Sequence, residues 1–241
     1  MSLLNNYLQG TLRQIKKTLG IKPDIIPYMK FKEIAIMKDL FATRKPLSVL
    51  EYGCGYSSLF YPQFLPEQAT WTSIEHDKEW FEGIQPLLPN KGKATIHFVA
   101  PDAKEWRRTG TLDEFKSYVE KPLSMGKFDF ILVDGMAREA CIETAKKLLN
   151  EKGILVVHDA NRSWYHDHIR SFPNWILLED FRRTSGGLAI ASLDENPEKY
   201  LNISKHLAEW KTDASISNFF KFKFLLFKSA KKFRFSKSTK P

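Results

Sequence analysis

Short apolar runs alternate with helix-compatible segments along most of this chain. Seven runs rich in Val, Ile, Leu and Phe have the length of buried strands, at Ser48–Glu51, Thr70–Glu75, Thr95–Val99, Phe128–Val133, Ile154–His158, Trp175–Leu178 and Gly187–Ala191. Helical patterns lie at Leu3–Leu19, Phe31–Ala42, Trp80–Leu88, Leu112–Val119 and Arg138–Leu149. Buried strands that alternate with helices predict a mostly parallel sheet covered on both faces.

The last two strand runs are separated only by the turn-like segment "EDFRRTSGG" at residues 179–187. A connection this short predicts an antiparallel pair at one edge of the sheet. We therefore expect an α/β fold, with a Rossmann-like, doubly wound, mostly parallel seven-stranded sheet, an antiparallel edge strand and N-terminal helices. The pattern divides the chain into an N-terminal helical cap at 1–45, a central domain at 46–195 and a C-terminal extension at 196–241.

Net charge changes this picture only at the C-terminal end. The 241 residues carry a net charge of +9, and within 211–241 nine Lys and Arg residues stand against one acid. The rest of the chain is therefore nearly neutral. The two cysteines, Cys54 and Cys141, form no disulfide framework, and neither a signal-peptide pattern nor a bilayer-spanning apolar run is present in the sequence. This composition predicts a reduced, cytoplasmic protein.

Polar groups follow five consecutive strand runs. They are the loop "EYGCGYSS" at 51–58, then Glu75 and His76, then Asp102, then Asp134, and finally His158, Asp159 and Asn161. In doubly wound sheets ligands bind at the carboxyl ends of the strands, beside the point where the strand order reverses. These residues are therefore the candidate functional site.

The glycine loop after the first strand is compatible with two kinds of cofactor. A dinucleotide-binding loop has the pattern G-x-G-x-x-G, but Ser58 occupies the place of the third glycine here. Glu51 would repel a pyrophosphate, and it suits a ligand with an ammonium or sulfonium group, such as S-adenosylmethionine. Glu75 stands 22 positions after Gly53, where a carboxylate can accept hydrogen bonds from the vicinal hydroxyls of a ribose.

Four separated motifs resemble those of class I S-adenosylmethionine-dependent methyltransferases. They are "VLEYGCGYSSLF", "WTSIEHDKEWFEGI", "FDFILVDGMAREACIETAKKLLNEKGILVVHDANRSWY" and "GGLAIAS", and they extend from about Ser48 to Ser192. Within that class the sequence is most similar to O-methyltransferases, of the catechol type and of the glucuronoxylan 4-O-methyltransferase type. The resemblance implies methylation of a hydroxyl on a small molecule or on a sugar or glycan.

The resemblance also implies a role for each strand-end residue. The cofactor ligands would be Glu51, Gly53, Gly55, Ser57, Ser58, Glu75, His76, Asp102 and Asp134. Arg162 and Tyr165 are candidates for the acceptor site, because an arginine pairs with a carboxylate and an aromatic ring stacks on a sugar or catechol. Other interpretations stay open, since Glu75 and Asp102 can each cap a helix and His158 can be purely structural.

The acceptor hydroxyl must lose its proton, and two routes are open. In catechol-type enzymes a divalent metal binds at the fourth and fifth strand ends, which correspond to Asp134 and Asp159 here, and oxygen ligands suit Mg²⁺ or Mn²⁺. The match is incomplete, because Asn161 is displaced by one position and Ala137 stands where that family has a lysine. Without a metal, His158 or Asp159 would be the general base. The catalytic candidates are Asp134, His158 and Asp159.

The C-terminal extension suggests a partner. It alternates Phe or Leu with Lys in "NFFKFKFLLFKSAKKFRFSKSTKP", which predicts peripheral contact with an anionic membrane surface on the inner side; nucleic acid is the rival partner. Two other functions are kept as alternatives. A nucleic-acid methyltransferase is disfavoured because the fourth strand ends in "VDGM". The other is a non-catalytic cofactor-binding module anchored by its tail.

Overall fold

The computed structural model describes residues 25–89, 92–181, 186–223 and 233–238. The helix predicted at Leu3–Leu19 lies outside these residues. The strands are β1 Ser48–Tyr52, β2 Thr70–Glu75, β3 Ala94–Phe98, β4 Phe128–Val133, β5 Leu149–His158, β6 Asn174–Glu179, β7 Leu188–Ser192 and β8 Arg234–Lys237. The α-helices are α1 Phe31–Arg44, α2 Tyr56–Phe60, α3 Lys78–Ile84, α4 Lys116–Glu120, α5 Arg138–Leu148, α6 His166–Arg170 and α7 Ile203–Lys223.

The strands form one sheet in the order β3-β2-β1-β4-β5-β7-β6-β8. Strands β1 to β5 pair in parallel, whereas β7 runs antiparallel to both β5 and β6. The chain builds outward from β1 to β3 and then outward from β4 on the other side, so the strand order reverses between β1 and β4. This arrangement confirms the predicted Rossmann-like, mostly parallel sheet.

Two details of the predicted sheet differ in the structure. The described residues form eight strands instead of seven, because β8 adds to β6. The predicted antiparallel pair of β6 and β7 is present, with β7 between β5 and β6, but it lies one strand inside the edge, because the antiparallel strand at the edge is β8. The connection through α6 places β6 one strand away from β5, and the short return after β6 brings β7 back into the gap.

Two predicted helices have different ends in the structure. Helix α3 begins at Lys78, because the Asp77 carboxylate accepts a hydrogen bond from Trp80 N at 2.9 Å. It gives way to a 3₁₀ turn at Gln85–Leu87, where Pro86 has no N–H to continue the α-helix. Helix α4 begins later than expected, at Lys116, because the Glu114 carboxylate accepts from Thr111 N at 2.7 Å and holds the preceding segment as a turn.

Helix α1 covers one face of the sheet. Its residues Ile36, Met37, Leu40 and Phe41 are fully buried in a cluster that includes strand residues of β1, β2 and β4. The Phe41 ring lies 4.8 Å from that of Phe130, centroid to centroid. The other face is covered mainly by α4 and α5. Both faces of the sheet are thus shielded from solvent, as the apolar strand sequences predict.

Part of the C-terminal extension belongs to the folded body. Strand β8 pairs antiparallel with β6, and Phe233 and Phe235 pack against the α1 side of the core. The Phe233 ring lies 5.7 Å from that of Trp210 on α7, which is fully buried. In the described part of the chain, no helix has the length and apolarity that crossing a membrane requires.

A buried ion cluster joins α1 to α7. Lys32 is 1% exposed, and its Nζ lies 2.6 Å from Oδ2 of Asp180, just after β6, and 2.6 Å from Oδ2 of Asp213 on α7. The ammonium also stands 4.1 Å from the centre of the Trp210 ring. Charges this deep in a protein are tolerated only with close partners.

We expect Lys32→Met to lower the free energy of unfolding by about 3 kcal/mol, because a buried Asp213 is left without its counter-ion. Urea denaturation measures this change. Lys38→Met is the matched control on the same helix: Lys38 is exposed and only overlies the Phe64 ring, so its removal should cost less than about 1 kcal/mol. Equal losses for the two variants would contradict the assigned role of Lys32.

Candidate functional site

A cavity of about 380 Å³ opens at the carboxyl ends of β1, β2 and β4. This is the place where the strand order reverses. Its walls are formed by Gly53, Cys54, Glu75, His76, Asp77, Trp80, Arg108, Thr109, Asp134, Gly135, Met136, Arg138, Arg162 and Tyr165. The strand ends therefore converge as the sequence predicts.

The glycine loop is held close to the end of β4. Gly53 has φ +97°, and a Cβ there would lie 3.1 Å from backbone atoms of Gly135. Both the left-handed conformation and the close approach require glycine at this position. The next residue, Cys54, donates its N–H to Glu75 Oε2 at 2.8 Å and accepts at its carbonyl from Trp80 Nε1 at 2.7 Å. The loop is thus fixed from both sides of the cavity.

Glu75 fixes the backbone that follows β2 by accepting hydrogen bonds from it. Its Oε1 accepts from the N–H groups of His76 and Asp77, both at 2.8 Å, and the His76 Nδ1 lies 2.9 Å from the same oxygen. Burial alone would raise the pKa of this carboxyl, but hydrogen bonds from His76, Asp77 and Cys54 hold the pKa below its ordinary value. Glu75 is therefore ionised at neutral pH, and its Oε2 keeps an acceptor position towards the cavity.

Glu51 and the two loop serines lie behind the cavity wall. Glu51 is 1% exposed, and its carboxylate accepts from Ser57 Oγ, from Ser58 Oγ at 2.5 Å, from Ser73 Oγ at 2.7 Å and from Trp71 Nε1 at 3.0 Å. Every donor is neutral, so burial dominates and raises the pKa of Glu51 to about 7. This cluster anchors the start of α2 to β1 and β2.

Asp134 and His158 form the centre of the site. His158 Nδ1 and Arg138 Nη2 each lie 2.9 Å from Asp134 Oδ1. The Asp134 side chain is 27% exposed, and no described residue donates to its Oδ2. Burial alone would raise the pKa of Asp134, but the charges of His158 and Arg138 lower it. Asp134 thus presents one ionised oxygen to the cavity.

The second ring nitrogen of His158 meets another carboxylate. Nε2 lies 3.3 Å from Oε2 of Glu33 on α1 and 4.0 Å from Oδ1 of Asp159. Burial alone would lower the pKa of this imidazole, but Asp134 and Glu33 raise the pKa to about 10. His158 is therefore an imidazolium with both N–H groups engaged at neutral pH.

Asp159, Arg162 and Tyr165 form the wall after β5. Asp159 adopts φ +58°, its Oδ2 accepts from Arg162 Nη2 at 3.1 Å, and its Oδ1 accepts from the N–H of Gly186. Arg162 Nη1 also donates to the Tyr165 hydroxyl at 3.1 Å. Asn161 is 3% exposed and turned inward, where its Oδ1 accepts from Asp180 N at 2.6 Å. Arg162 and Tyr165 line the cavity, and Asn161 does not.

These residues do not fit a divalent metal. A metal between Asp134 and Asp159 would need their oxygens, but Arg138 and His158 already neutralise the first carboxylate and Arg162 the second. The described residues include no group of three or more His, Cys, Asp or Glu side chains that could hold a metal ion. We therefore derive no step through a metal.

The other predicted site residues fall into two groups. Gly53, Glu75, His76 and Asp134 line the cavity, whereas Gly55 does not. Asp102 is exposed, and its carboxylate accepts from Ser117 N at 2.7 Å and from Ser117 Oγ at 2.5 Å. Asp102 thus binds the first turn of α4 from outside the helix, whose N-cap residue is Phe115. An adenine contact for Asp102 stays a prediction.

The sequence did not lead us to several residues of the site, among them Glu33, Trp80, Arg108 and Arg138. For Glu33 a signal was present. It lies in register with Ile36, Met37 and Leu40 on the apolar face of α1, and a charged residue at such a position must find a buried partner. Arg108 belongs to an irregular segment, whose approach to the cavity depends on the tertiary fold.

Several solved structures share this fold. The O-methyltransferase TomG from Streptomyces achromogenes, crystallised with SAM, matches with a TM-score of 0.52 at 16% identity, over 78% of this chain and 89% of its own. An O-methyltransferase from Bacillus cereus in complex with SAH matches with a TM-score of 0.52 at 13% identity, over 76% and 89%. A spermidine synthase bound to a transition-state analogue matches with a TM-score of 0.52 at 16% identity, over 82% and 75%.

These likenesses define the class of fold. The chain has the fold of S-adenosylmethionine-dependent O-methyltransferases, as the sequence resemblance predicts. The spermidine synthase has it as well, so the fold by itself does not select the reaction. No protein-family model matches this chain, and no curated protein matches it in sequence.

The Glu51 cluster predicts a pH-dependent stability. Because the pKa of Glu51 rises from its ordinary 4.5 to about 7 on folding, its stabilising contribution is full below pH 4.5 and is lost as the pH rises through 7. Glu51→Gln remains neutral and should be more stable than the wild type at pH 8, by up to about 3 kcal/mol. The difference should vanish near pH 4.5, as measured by urea denaturation.

Glu67→Gln is the control for this experiment, because Glu67 is exposed and its replacement should change stability equally little at both pH values. A Glu51→Gln variant that is less stable than the wild type at pH 8 would show that the buried carboxylate is ionised and needed in that form.

Proposed function

We propose that this protein is a methyltransferase that uses S-adenosylmethionine and methylates a hydroxyl of a small molecule or a glycan. One observation carries the proposal. The glycine loop and Glu75 meet Asp134 on a single cavity at the point where the strand order reverses. The fold, which O-methyltransferases bound to SAM or SAH share, supports the same conclusion.

The charges of the cavity suit this cofactor. Three carboxylates, of Glu75, Asp77 and Asp134, and three arginines, Arg108, Arg138 and Arg162, stand on its wall. Such a wall suits a zwitterionic ligand, because a carboxylate can face its sulfonium or ammonium group and an arginine can face its carboxylate. Glu75 Oε2 has an acceptor position for a ribose hydroxyl, while the Gly53 loop allows close approach of the methionine end. The Trp80 indole, 39% exposed, offers a ring for stacking against the adenine.

Methyl transfer needs alignment more than acid–base power. When bound, the cofactor would supply a methyl group on a sulfonium that departs as a neutral thioether. The protein then has to hold the acceptor oxygen in line and take up its proton. Arg162 and Tyr165, on the wall after β5, are placed to bind the acceptor.

We assign the role of accepting the proton of the substrate hydroxyl to Asp134 and not to His158. Both ring nitrogens of His158 face carboxylates, and its raised pKa keeps it charged at neutral pH. Asp134 Oδ2 faces the cavity as an ionised acceptor. Its lowered pKa makes it a weak base, so it orients the hydroxyl and accepts the proton as the new bond forms. His158 and Arg138 hold it in place.

The C-terminal extension supports a further part of the proposal. We infer that its basic residues bring the enzyme to an anionic membrane surface on the cytoplasmic side, where a lipid-linked or polymeric glycan would be an accessible acceptor. The nine Lys and Arg residues of 211–241 support this inference, although Phe233 and Phe235 pack on the core and do not contribute to such a surface.

Isothermal titration calorimetry with S-adenosylmethionine tests the cofactor. We expect the wild type to bind, and Glu75→Gln to bind about ten- to a hundredfold more weakly, because a charged hydrogen-bond acceptor and the fixed loop are lost. Glu79→Gln, an exposed residue in the first turn of α3, is the matched control and should bind like the wild type. A wild type that does not bind would refute the proposed function.

The pH dependence of methyl transfer tests whether Asp134 is the group that accepts the proton. Once a hydroxylated acceptor is found by screening, we expect kcat to show no inflection near pH 6.5, because the pKa of His158 is raised to about 10 and that of Asp134 is lowered. Asp134→Asn should lower kcat by about a hundredfold or more. A rate that falls as the pH drops through 6.5 would instead assign the base to a neutral histidine.

A further inference from the structure

We propose that Glu33, on the N-terminal helix α1, is a positioning residue of this site: it fixes the ring of His158 and thereby aims Asp134 at the cavity. The inference deepens the proposed function and rests on it for the meaning of the cavity. The contact between Glu33 and His158 is a feature of the structure and does not depend on the proposed function.

Glu33 is fully buried and accepts from four donors. Oε2 accepts from Lys30 N at 2.8 Å and from His158 Nε2 at 3.3 Å. Oε1 accepts from Gly187 N at 3.0 Å and from Lys30 Nζ at 3.3 Å. The carboxylate thus joins three parts of the chain, namely α1, the end of β5 and the turn before β7.

The bonds from Lys30 N and Gly187 N give Glu33 a structural role, as part of the N-terminal cap of α1 and as an anchor of the turn before β7, but the bond from His158 serves neither purpose. The neighbouring buried positions of α1, Ile36, Met37 and Leu40, are apolar, so burial against the sheet does not by itself require a carboxylate at position 33. A carboxylate at position 33 does what an apolar group cannot. It receives a hydrogen bond from the ring that holds Asp134.

The two carboxylates fix the His158 ring between them. Nδ1 is held by Asp134 and Nε2 by Glu33, and the ring is buried. With Arg138, the ring saturates Asp134 Oδ1, so that Oδ2 is the oxygen that faces the cavity. Without Glu33, the next acceptor for Nε2 is Asp159 Oδ1, 4.0 Å away, and a ring that turns towards it loses its alignment with Asp134.

Glutamine cannot replace Glu33 without breaking one contact. Each of the two carboxylate oxygens accepts from two donors. The NH₂ group of a glutamine would therefore face donors on whichever side it is placed. Glu33→Gln therefore keeps the size of the side chain and breaks either the His158 bond or the Gly187 bond. In both orientations it also removes the negative charge that faces the His158 imidazolium, so the His158 bond is weakened even where it is kept. Asp213→Asn is the matched control, because Asp213 is also buried and ion-paired on the α1 side but contacts Lys32 and not His158.

The first experiment is NMR of the full chain with ¹⁵N-labelled histidine, with the His158 signals assigned by their loss in His158→Asn. In the wild type we expect a slowly exchanging His158 Nε2 proton, which Asp213→Asn retains. In Glu33→Gln this proton should exchange at least about tenfold faster. Absence of a protected Nε2 proton in the wild type would overturn the proposal even if the variants fail to fold.

The second measurement separates positioning from folding. We expect Glu33→Gln to lower kcat by about ten- to a hundredfold while the Kd for S-adenosylmethionine stays within about twofold, because the Glu75 loop is untouched. Asp213→Asn should leave kcat unchanged. Equal losses of kcat in the two variants would make Glu33 merely structural. A wild type that binds no S-adenosylmethionine would refute the proposed function, and the histidine signals would still decide whether Glu33 fixes the ring.

Discussion

A buried line of alternating charges joins the functional site to helices α1 and α7. It runs from the cavity wall to the C-terminal helix, each member in contact with the next, through Arg138, Asp134, His158, Glu33, Lys30, Asp180, Lys32 and Asp213. The distances between successive charged groups lie between 2.6 and 3.5 Å. Cations and anions alternate along the whole line, so each charge has opposite charges beside it.

This line constrains how the elements can pack. Burying an ion costs several kcal/mol unless its partners are correctly placed, so α1, the turn after β6 and α7 must take one relative arrangement on the sheet. The apolar cluster beneath α1 stabilises its burial on the sheet but does little to fix its orientation, because dispersion and hydrophobic contacts are not directional. The ion pairs supply the direction, and the pair of Glu33 with Lys30 is the one that holds the Glu33 carboxylate beside His158.

The shared fold and the local charges have separate roles. O-methyltransferases and a spermidine synthase share this fold, so the fold by itself does not select a reaction. The local charges of this chain depend on what surrounds each carboxylate. Arginine and histidine side chains occupy the positions beside Asp134 and Asp159 that a metal would need, and a neutral serine cluster surrounds Glu51. In the reaction we propose, Arg138 and His158 hold Asp134 in the orientation in which it accepts the proton.

The parallel sheet and the location of the site follow from the amino-acid sequence. Apolar runs of strand length alternate with helices, and in such a sheet the residues after the strands, including Gly53, Glu75 and Asp134, must meet at one edge. The positions of Glu51 behind the cavity wall, of β8 beside β6 and of Glu33 beside His158 could be learned only from the folded chain. Strand periodicity is a local property of the backbone, whereas the partner of a buried charge is set by residues far away in the chain, such as Glu33 and His158, that only folding brings together.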